Sequence, residues 1–139
     1  MEKETVEVSA AMIVKDGYLL AAQKGYGIFK GKWELPGGKI KSGESPQETV
    51  IREIKEELNA DIDIDDYFLT VNHEYDSFRL VMHTFLCSLK SGYNYVFHSD
   101  SELEHDSLVW LEKEDLDLID WLPADRIVID EYKETLRSR

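Results

Sequence analysis

The sequence predicts a mixed α/β domain of the α+β kind, on three observations. Two apolar runs, Val6 to Val14 and Tyr18 to Ala22, flank Lys15-Asp16-Gly17, and Asp-Gly between apolar runs is a strong hairpin signal. A helix opens sharply at Ser45. A second pair of strand-like runs, Tyr67 to Tyr75 and Arg79 to Leu89, meets at Asp76-Ser77, and a final helix starts near Ala124. No repeat, low-complexity tract or linker interrupts the 139 residues, so one domain over residues 1–139 is expected.

Taken in order, the hairpin is followed by Gly25 to Lys32, a loop with three glycines and three cations and no periodicity. Either solvation or contact with phosphates or a base accounts for its charge. The segment "WELPGGKI" reads as a short strand stopped by Pro36, which lacks an N–H, and then two glycines free to take unusual backbone angles. For the helix, Ser45 is the N-cap, Pro46 suits the first helical position, and Glu48 closes a capping box. Val50, Ile51, Ile54 and Leu58 recur at helical spacing and mark the buried face, and Asn59 suits a left-handed C-terminal residue. In the strand pair, Val71, His73 and Tyr75 alternate with Asn72 and Glu74. A polar loop with aromatic residues, a short strand "SLVWL" and a helical turn near Glu114 lead to the last helix.

Composition excludes several functions. A net charge of −13 argues against holding a long nucleic acid, which needs clustered Lys and Arg to replace counterions. It leaves a polyphosphate open, provided divalent cations stand between the two negative partners. No apolar run approaches the roughly 20 residues that a bilayer needs, and the charged start "MEKETVEVSA" has no signal-peptide core. A cytoplasmic location and no membrane partner are expected. The single Cys87, within "MHTFLCSL", reads as a small buried hydrophobe rather than a catalytic thiol.

The chemistry concentrates between Gly37 and Ala60. Glu53, Glu56 and Glu57 are spaced i, i+3, i+4, which puts all three on one side of the helix beside the apolar stripe. Three like charges repel. Either Arg52 and Lys55 balance them as a solvated face, or a hard cation, Mg²⁺ or Mn²⁺, binds them. Arg52, four residues before Glu56, has the fork to orient a carboxylate. Gly37 and Gly38 let the backbone approach a ligand, and a carbonyl there can join the carboxylates around a metal.

Gly38, Glu44, Arg52, Glu53, Glu56 and Glu57 together follow G-x5-E-x7-R-E-U-x-E-E-x-G-U, where U is bulky and apolar. The pattern resembles the Nudix box. Asn59 stands where that box has Gly and Ala60 where it has an apolar residue, and neither change removes a chemical group. The segments "DGYLLAAQK", "GKWELPGGKI", "HEYDSFRLVMHTFLCSL", "LEHDSLVWL" and "WLPADRIV" are similar to the MutT-type branch. The resemblance implies a Nudix fold, a mixed β-sheet held between the box helix and a C-terminal helix. It also implies a pyrophosphohydrolase that splits a (deoxy)nucleoside triphosphate into the monophosphate and pyrophosphate, with Mg²⁺ as cofactor and Mn²⁺ as substitute.

By the same resemblance, Glu53, Glu56 and Glu57 with a carbonyl of Gly37 or Gly38 hold the metal, and Arg52 fixes Glu53. Glu53 is the first candidate to position or deprotonate the attacking water; Glu104 is the second, as a loop carboxylate within reach of the metal or simply an exposed acid. Glu44 reads as structural, and His105 as a surface residue. The implied substrate contacts are Lys24, where relatives usually carry Arg, together with Phe29, Trp33, Glu34, Leu35, Phe78 and Asp125. Asp125 either accepts from an exocyclic amine of the base or is an acid favoured by a helix N-terminus. Phe78, Tyr75, Phe29 and Trp33 are stacking surfaces or packing. Expected substrates are pyrimidine nucleotides of the CTP or dCTP type or oxidised purines such as 8-oxo-dGTP, giving a role in nucleotide-pool sanitation. A Nudix hydrolase of another nucleoside diphosphate-linked substrate and a non-catalytic nucleotide-binding module are the alternatives. The protein is expected as a monomer or homodimer.

Overall fold

The computed structural model describes residues 3–90 and 105–137. Glu104 and most of the polar loop before it lie outside the described residues. The chain forms β1 (Glu4–Lys15), β2 (Tyr18–Lys24), β3 (Trp33–Glu34), β4 (Gly37–Lys39), α1 (Pro46–Leu58), β5 (Ile62–Glu74), β6 (Phe78–Leu89), β7 (His105–Leu111), a 3₁₀ turn at Lys113–Asp115 and α2 (Pro123–Arg137).

The sheet is mixed, in the order β3-β2-β1-β6-β5, with β4 also on β1 and β7 on β2. Strand β1 runs parallel to β6 from Glu4↔Phe78 to Ile13↔Cys87. Its other edge is shared. Strand β2 keeps only the turn-proximal pairs Val14↔Leu19 and Lys15↔Tyr18 before it diverges, and β4 takes up Val8, Ser9 and Ala10. The chain crosses that divergence at Leu35-Pro36, which sets a cleft beside the centre of the sheet.

Burial on both faces explains why Ala10 to Ile13 is an unbroken apolar run. Ala11 and Ile13, with Leu20, pack under Val50, Ile54 and Leu58 of α1. Ala10 and Met12, with Leu19 and Ala21, pack under Ala124, Val128, Ile129 and Tyr132 of α2. The expected arrangement of a mixed sheet between two helices is therefore the observed one. Cys87 is buried among the α1-side residues, where desolvation pushes its thiol up to about 12.

Three sequence readings need correction. Gly37 and Gly38 do not use the freedom to take unusual angles; they are residues of the strand β4, and the positive-φ glycines among the described residues are Gly17, Gly27, Gly31 and Gly43. Their use is the missing Cβ. Ile51 does not belong to the buried face of α1: it is 44% exposed, and Glu57 takes the buried place beside Leu58. Strand β5 begins at Ile62 rather than Tyr67, because bulges between Ile64 and Asp66 and between Tyr67 and Leu69 break the alternation that marks a strand. The helix ends match expectation. Ser45 Oγ accepts from the Glu48 N–H at 3.1 Å, Glu48 Oε1 accepts from the Ser45 N–H at 2.9 Å, and Asn59 has φ 53°.

Candidate active site

One cavity of about 780 Å³ runs over the β1–β4 region toward the start of α2. Gly37, Gly38, Lys39, Glu53 and Glu57 line it where α1 meets β4, and Lys24, Phe29, Glu34, Leu35, Tyr75, Phe78 and Asp125 line it elsewhere. Most residues singled out in the sequence thus meet around one space. Trp33 does not line the cavity. Its side chain packs against the α2-side core, its N–H donates to the Asp120 carbonyl, and its carbonyl accepts from Leu122.

The carboxylate end is built from the capped helix. Because the capping box fixes the first turn of α1, residues two turns later are delivered to β4 in one orientation. The Glu53 carboxylate lies against the Gly38 backbone: a Cβ added at Gly38 would stand 2.5 and 2.6 Å from its two oxygens. The glycine is required there for contact, not for its φ. Gly37 is equally enclosed, since an added Cβ would run into the Ser9 carbonyl oxygen and stand 2.7 Å from Ala10 Cα.

Arg52 organises this end through all three of its guanidinium nitrogens. Its Nε and Nη2 donate to the two oxygens of Glu44 at 2.6 and 2.9 Å, and Nη1 donates to both Glu53 Oε1 (2.9 Å) and Glu56 Oε2 (3.1 Å). Bidentate pairing goes to Glu44, which also accepts from Thr49 Oγ1 and the Lys41 N–H. The Arg52 hydrogen bonds, then the Lys41 N–H, hold the Glu44 carboxyl down at about 2. Glu44 is therefore bound into the turn that precedes α1, as the sequence suggested, and through Arg52 it fixes Glu53.

Of the three box glutamates, Glu53 and Glu57 line the cavity, with the Glu53 side chain 14% exposed and Glu57 5% exposed as a residue, while the Glu56 side chain is 54% exposed. Among the described residues no three His, Cys, Asp or Glu side chains converge as a ready-made ligand group. Two carboxylates beside a glycine backbone nevertheless suit Mg²⁺, a hard ion that keeps several waters and commonly takes one or two carboxylates together with substrate phosphates. The donor set fits that ion.

At the other end Asp125 is 4% exposed, and its Oδ2 accepts from the Leu35 N–H at 2.8 Å. Burial, and after it the nearby charge of Glu34, pushes its carboxyl up to about 8. The raised carboxyl favours its protonated form near neutral pH, which adds an O–H donor to the acceptor oxygens. Lys24 stands 3.9 Å from Glu34 and 4.7 Å over the Tyr26 ring. Phe78 stacks on Tyr75 with centroids 5.0 Å apart, and Phe29 meets the same ring at 5.2 Å. Sequence reasoning missed Tyr26, Lys39 and the β1 residues Glu4, Val6, Val8, Ser9 and Ala10, all of which line the cavity. Lys39 and Ser9 were detectable only through the β1–β4 pairing, and Tyr26 through the glycines around it.

An α+β sheet between two helices, with a glycine strand set against helix carboxylates, is an arrangement that this chain shares with a family of known hydrolases. The NUDIX domain family matches residues 3–132, and the chain belongs to that family. It is a Nudix hydrolase, similar to MutT-like members. The CTP pyrophosphohydrolase of Escherichia coli K12 is 30% identical over 136 residues, covering 96% of each chain. A putative 8-oxo-dGTP diphosphatase 2 of Mycobacterium tuberculosis is 32% identical, over 94% of this chain and 90% of that one. Among solved structures, a MutT NUDIX hydrolase from Burkholderia pseudomallei superposes with a TM-score of 0.81 at 25% identity, over 92% of this chain and 98% of that one. No helix among the described residues is long and apolar enough to cross a membrane.

Proposed function

We propose that the protein hydrolyses nucleoside triphosphates to the monophosphate and pyrophosphate with Mg²⁺, acting on the free nucleotide pool of the cytoplasm. The observation that carries this reading is the one cavity that Glu53, set against Gly38, and Glu57 line together with Asp125 and the aromatic rings of Phe29, Tyr75 and Phe78. Such a space suits a ligand that is polyanionic at one end and a planar ring at the other. The pyrophosphohydrolase and diphosphatase relatives support the same reaction class.

In this reading Glu53, Glu57 and a carbonyl of Gly37 or Gly38 hold Mg²⁺, with Glu56 as the next donor on α1 and Glu104 as a further candidate. Bound there, the ion neutralises phosphate oxygens and acidifies water. Arg52 orients the Glu53 carboxylate through its 2.9 Å hydrogen bond, which suits Glu53 to take the proton of the attacking water. Lys39 and Lys24 supply positive charge on the cavity wall. Asp125 reads the base edge, and Phe29 and Phe78 flank the ring. A protonated Asp125 pairs with a base edge that sets a donor beside an acceptor, which every base offers; the CTP pyrophosphohydrolase and 8-oxo-dGTP diphosphatase relatives make nucleotides of the CTP, dCTP or 8-oxo-dGTP type the favoured substrates. A nucleotide panel with Mg²⁺ tests this. Pyrophosphate release, highest for one of these nucleotides, is expected, and release of inorganic phosphate alone rules the bond choice out.

A further inference from the structure

The Tyr75 ring is enclosed on several sides, which removes it as a free stacking surface and gives it another task. Phe78 lies on it at 5.0 Å and 24°, Phe29 tilts against it at 5.2 Å, and the His73 ring meets it edge-on at 4.6 Å. Its hydroxyl oxygen accepts from the Ala124 N–H at 3.2 Å. Ala124 is fully buried in the first turn of α2, where backbone N–H groups have no partner within the helix. One residue later on that turn comes Asp125. Tyr75 is itself pinned, with its N–H donating to the Phe78 carbonyl at 2.8 Å and its carbonyl accepting from Lys3 Nζ at 2.9 Å.

We propose that Tyr75 is the positioning residue of base selection: its hydroxyl holds the start of α2, and so Asp125, in register with Leu35, while its ring sets the spacing of Phe29 and Phe78. The proposal rests on the reading of the cavity as a nucleotide site. Two segments far from Tyr75 in sequence, the loop after β2 with Phe29 and the first turn of α2 with Ala124, meet on this one side chain beside Phe78, the first residue of β6. Burial first, and then the charges of Asp125 and Glu34, raise the phenol of Tyr75 above its ordinary value. It therefore stays a neutral hydroxyl across the working range, and the charged or titratable groups facing Asp125 are Glu34, Lys24 and Tyr75.

The test is Tyr75→Phe, which keeps the ring and removes the oxygen. Loss of one neutral hydrogen bond at a recognition site corresponds to a roughly three- to tenfold effect. KM for the best nucleotide is expected to rise by about that factor, with kcat within about twofold, and the preference over the next nucleotide to shrink. In ¹³C-labelled protein, the Asp125 carboxyl resonance is expected to titrate at lower pH than in the wild type, because a loosened helix start admits water. A variant with wild-type KM and preference overturns the proposal, as does an Asp125 titration that stays in place. Should the wild type cleave no nucleoside triphosphate, the functional reading fails on its own, and the Asp125 titration still decides whether Tyr75 positions that carboxyl.

Discussion

Two adjacent glycines are expected to respond in opposite ways to the same added methyl group. In Gly38→Ala the new Cβ would run into Glu53 Cδ and lie 2.5 and 2.6 Å from its oxygens, whereas ordinary contact begins at 3.4 Å, so the carboxylate must move by about 1.1 Å. The clash is with the end of a side chain, and the fold survives. The displacement, however, pulls Glu53 against its 2.9 Å bond from Arg52 Nη1, and a misplacement near 1 Å can cost about 100-fold in rate. In Gly37→Ala the Cβ meets the Ser9 carbonyl and Ala10 Cα, both backbone of the central strand β1. Nothing there rotates away, so destabilisation of about 1–3 kcal/mol or more is expected. Thermal melts and Mg²⁺-dependent pyrophosphate release, measured on both variants, separate the two effects. Near wild-type turnover in Gly38→Ala would refute the assignment of catalysis to the Glu53–Gly38 contact, and an unchanged melting temperature in Gly37→Ala would refute the packing argument.

Other substitutions read the supporting structure. Arg52→Lys loses the double contact to Glu44, which an ammonium cannot reproduce; kcat is expected to fall by about 10- to 100-fold, more than KM rises. In the same variant the acid limb changes. Glu44, held at about 2 in the folded protein, contributes stability that is present above its ordinary range and lost as pH falls toward 2, and Arg52→Lys should lose less of it over that window in pH-resolved melts. Ser45→Ala removes the side-chain half of the capping box at a cost of about 1 kcal/mol, read as a melting temperature lower by about 2–4 °C. Asp125 has the opposite sign. Its carboxyl is raised from 3.8 to about 8, so the folded protein keeps a proton that the unfolded chain has lost, and stability falls as pH rises between those values, by up to about 1.4 kcal/mol per unit. Asp125→Asn is expected to flatten that slope in denaturant titrations at pH 5, 6.5 and 8, and a slope equal to wild type contradicts the burial of an ionisable group there.

How far the sequence discloses this arrangement depends on whether the signal is local. The capping box of α1, the left-handed Asn59 and the Asp16-Gly17 turn are decided within a few residues, and each is where its residue types place it. The carboxylate spacing on α1 is local too. Which glutamate turns inward is not: Glu57 is buried and Ile51 exposed because β4 and β5 occupy space that a helical wheel does not contain. The glycines show the same limit. Their presence signals freedom of φ, but at Gly37 and Gly38 the reason is an approaching strand and an approaching carboxylate. The raised carboxyl of Asp125 lies furthest from reach, since it follows from burial and from Glu34, in segments about 90 residues apart.

The central claim is that Glu53, held by Arg52 against Gly38, serves metal-dependent cleavage of a triphosphate. The most direct test compares wild type and Glu53→Gln, with and without Mg²⁺, by ³¹P NMR of the products. Equal amounts of nucleoside monophosphate and pyrophosphate are predicted from the wild type with Mg²⁺, and no turnover above background from a Glu53→Gln protein that retains its fold. Wild-type-like turnover in that variant, or nucleoside diphosphate with inorganic phosphate as the products, would contradict the account.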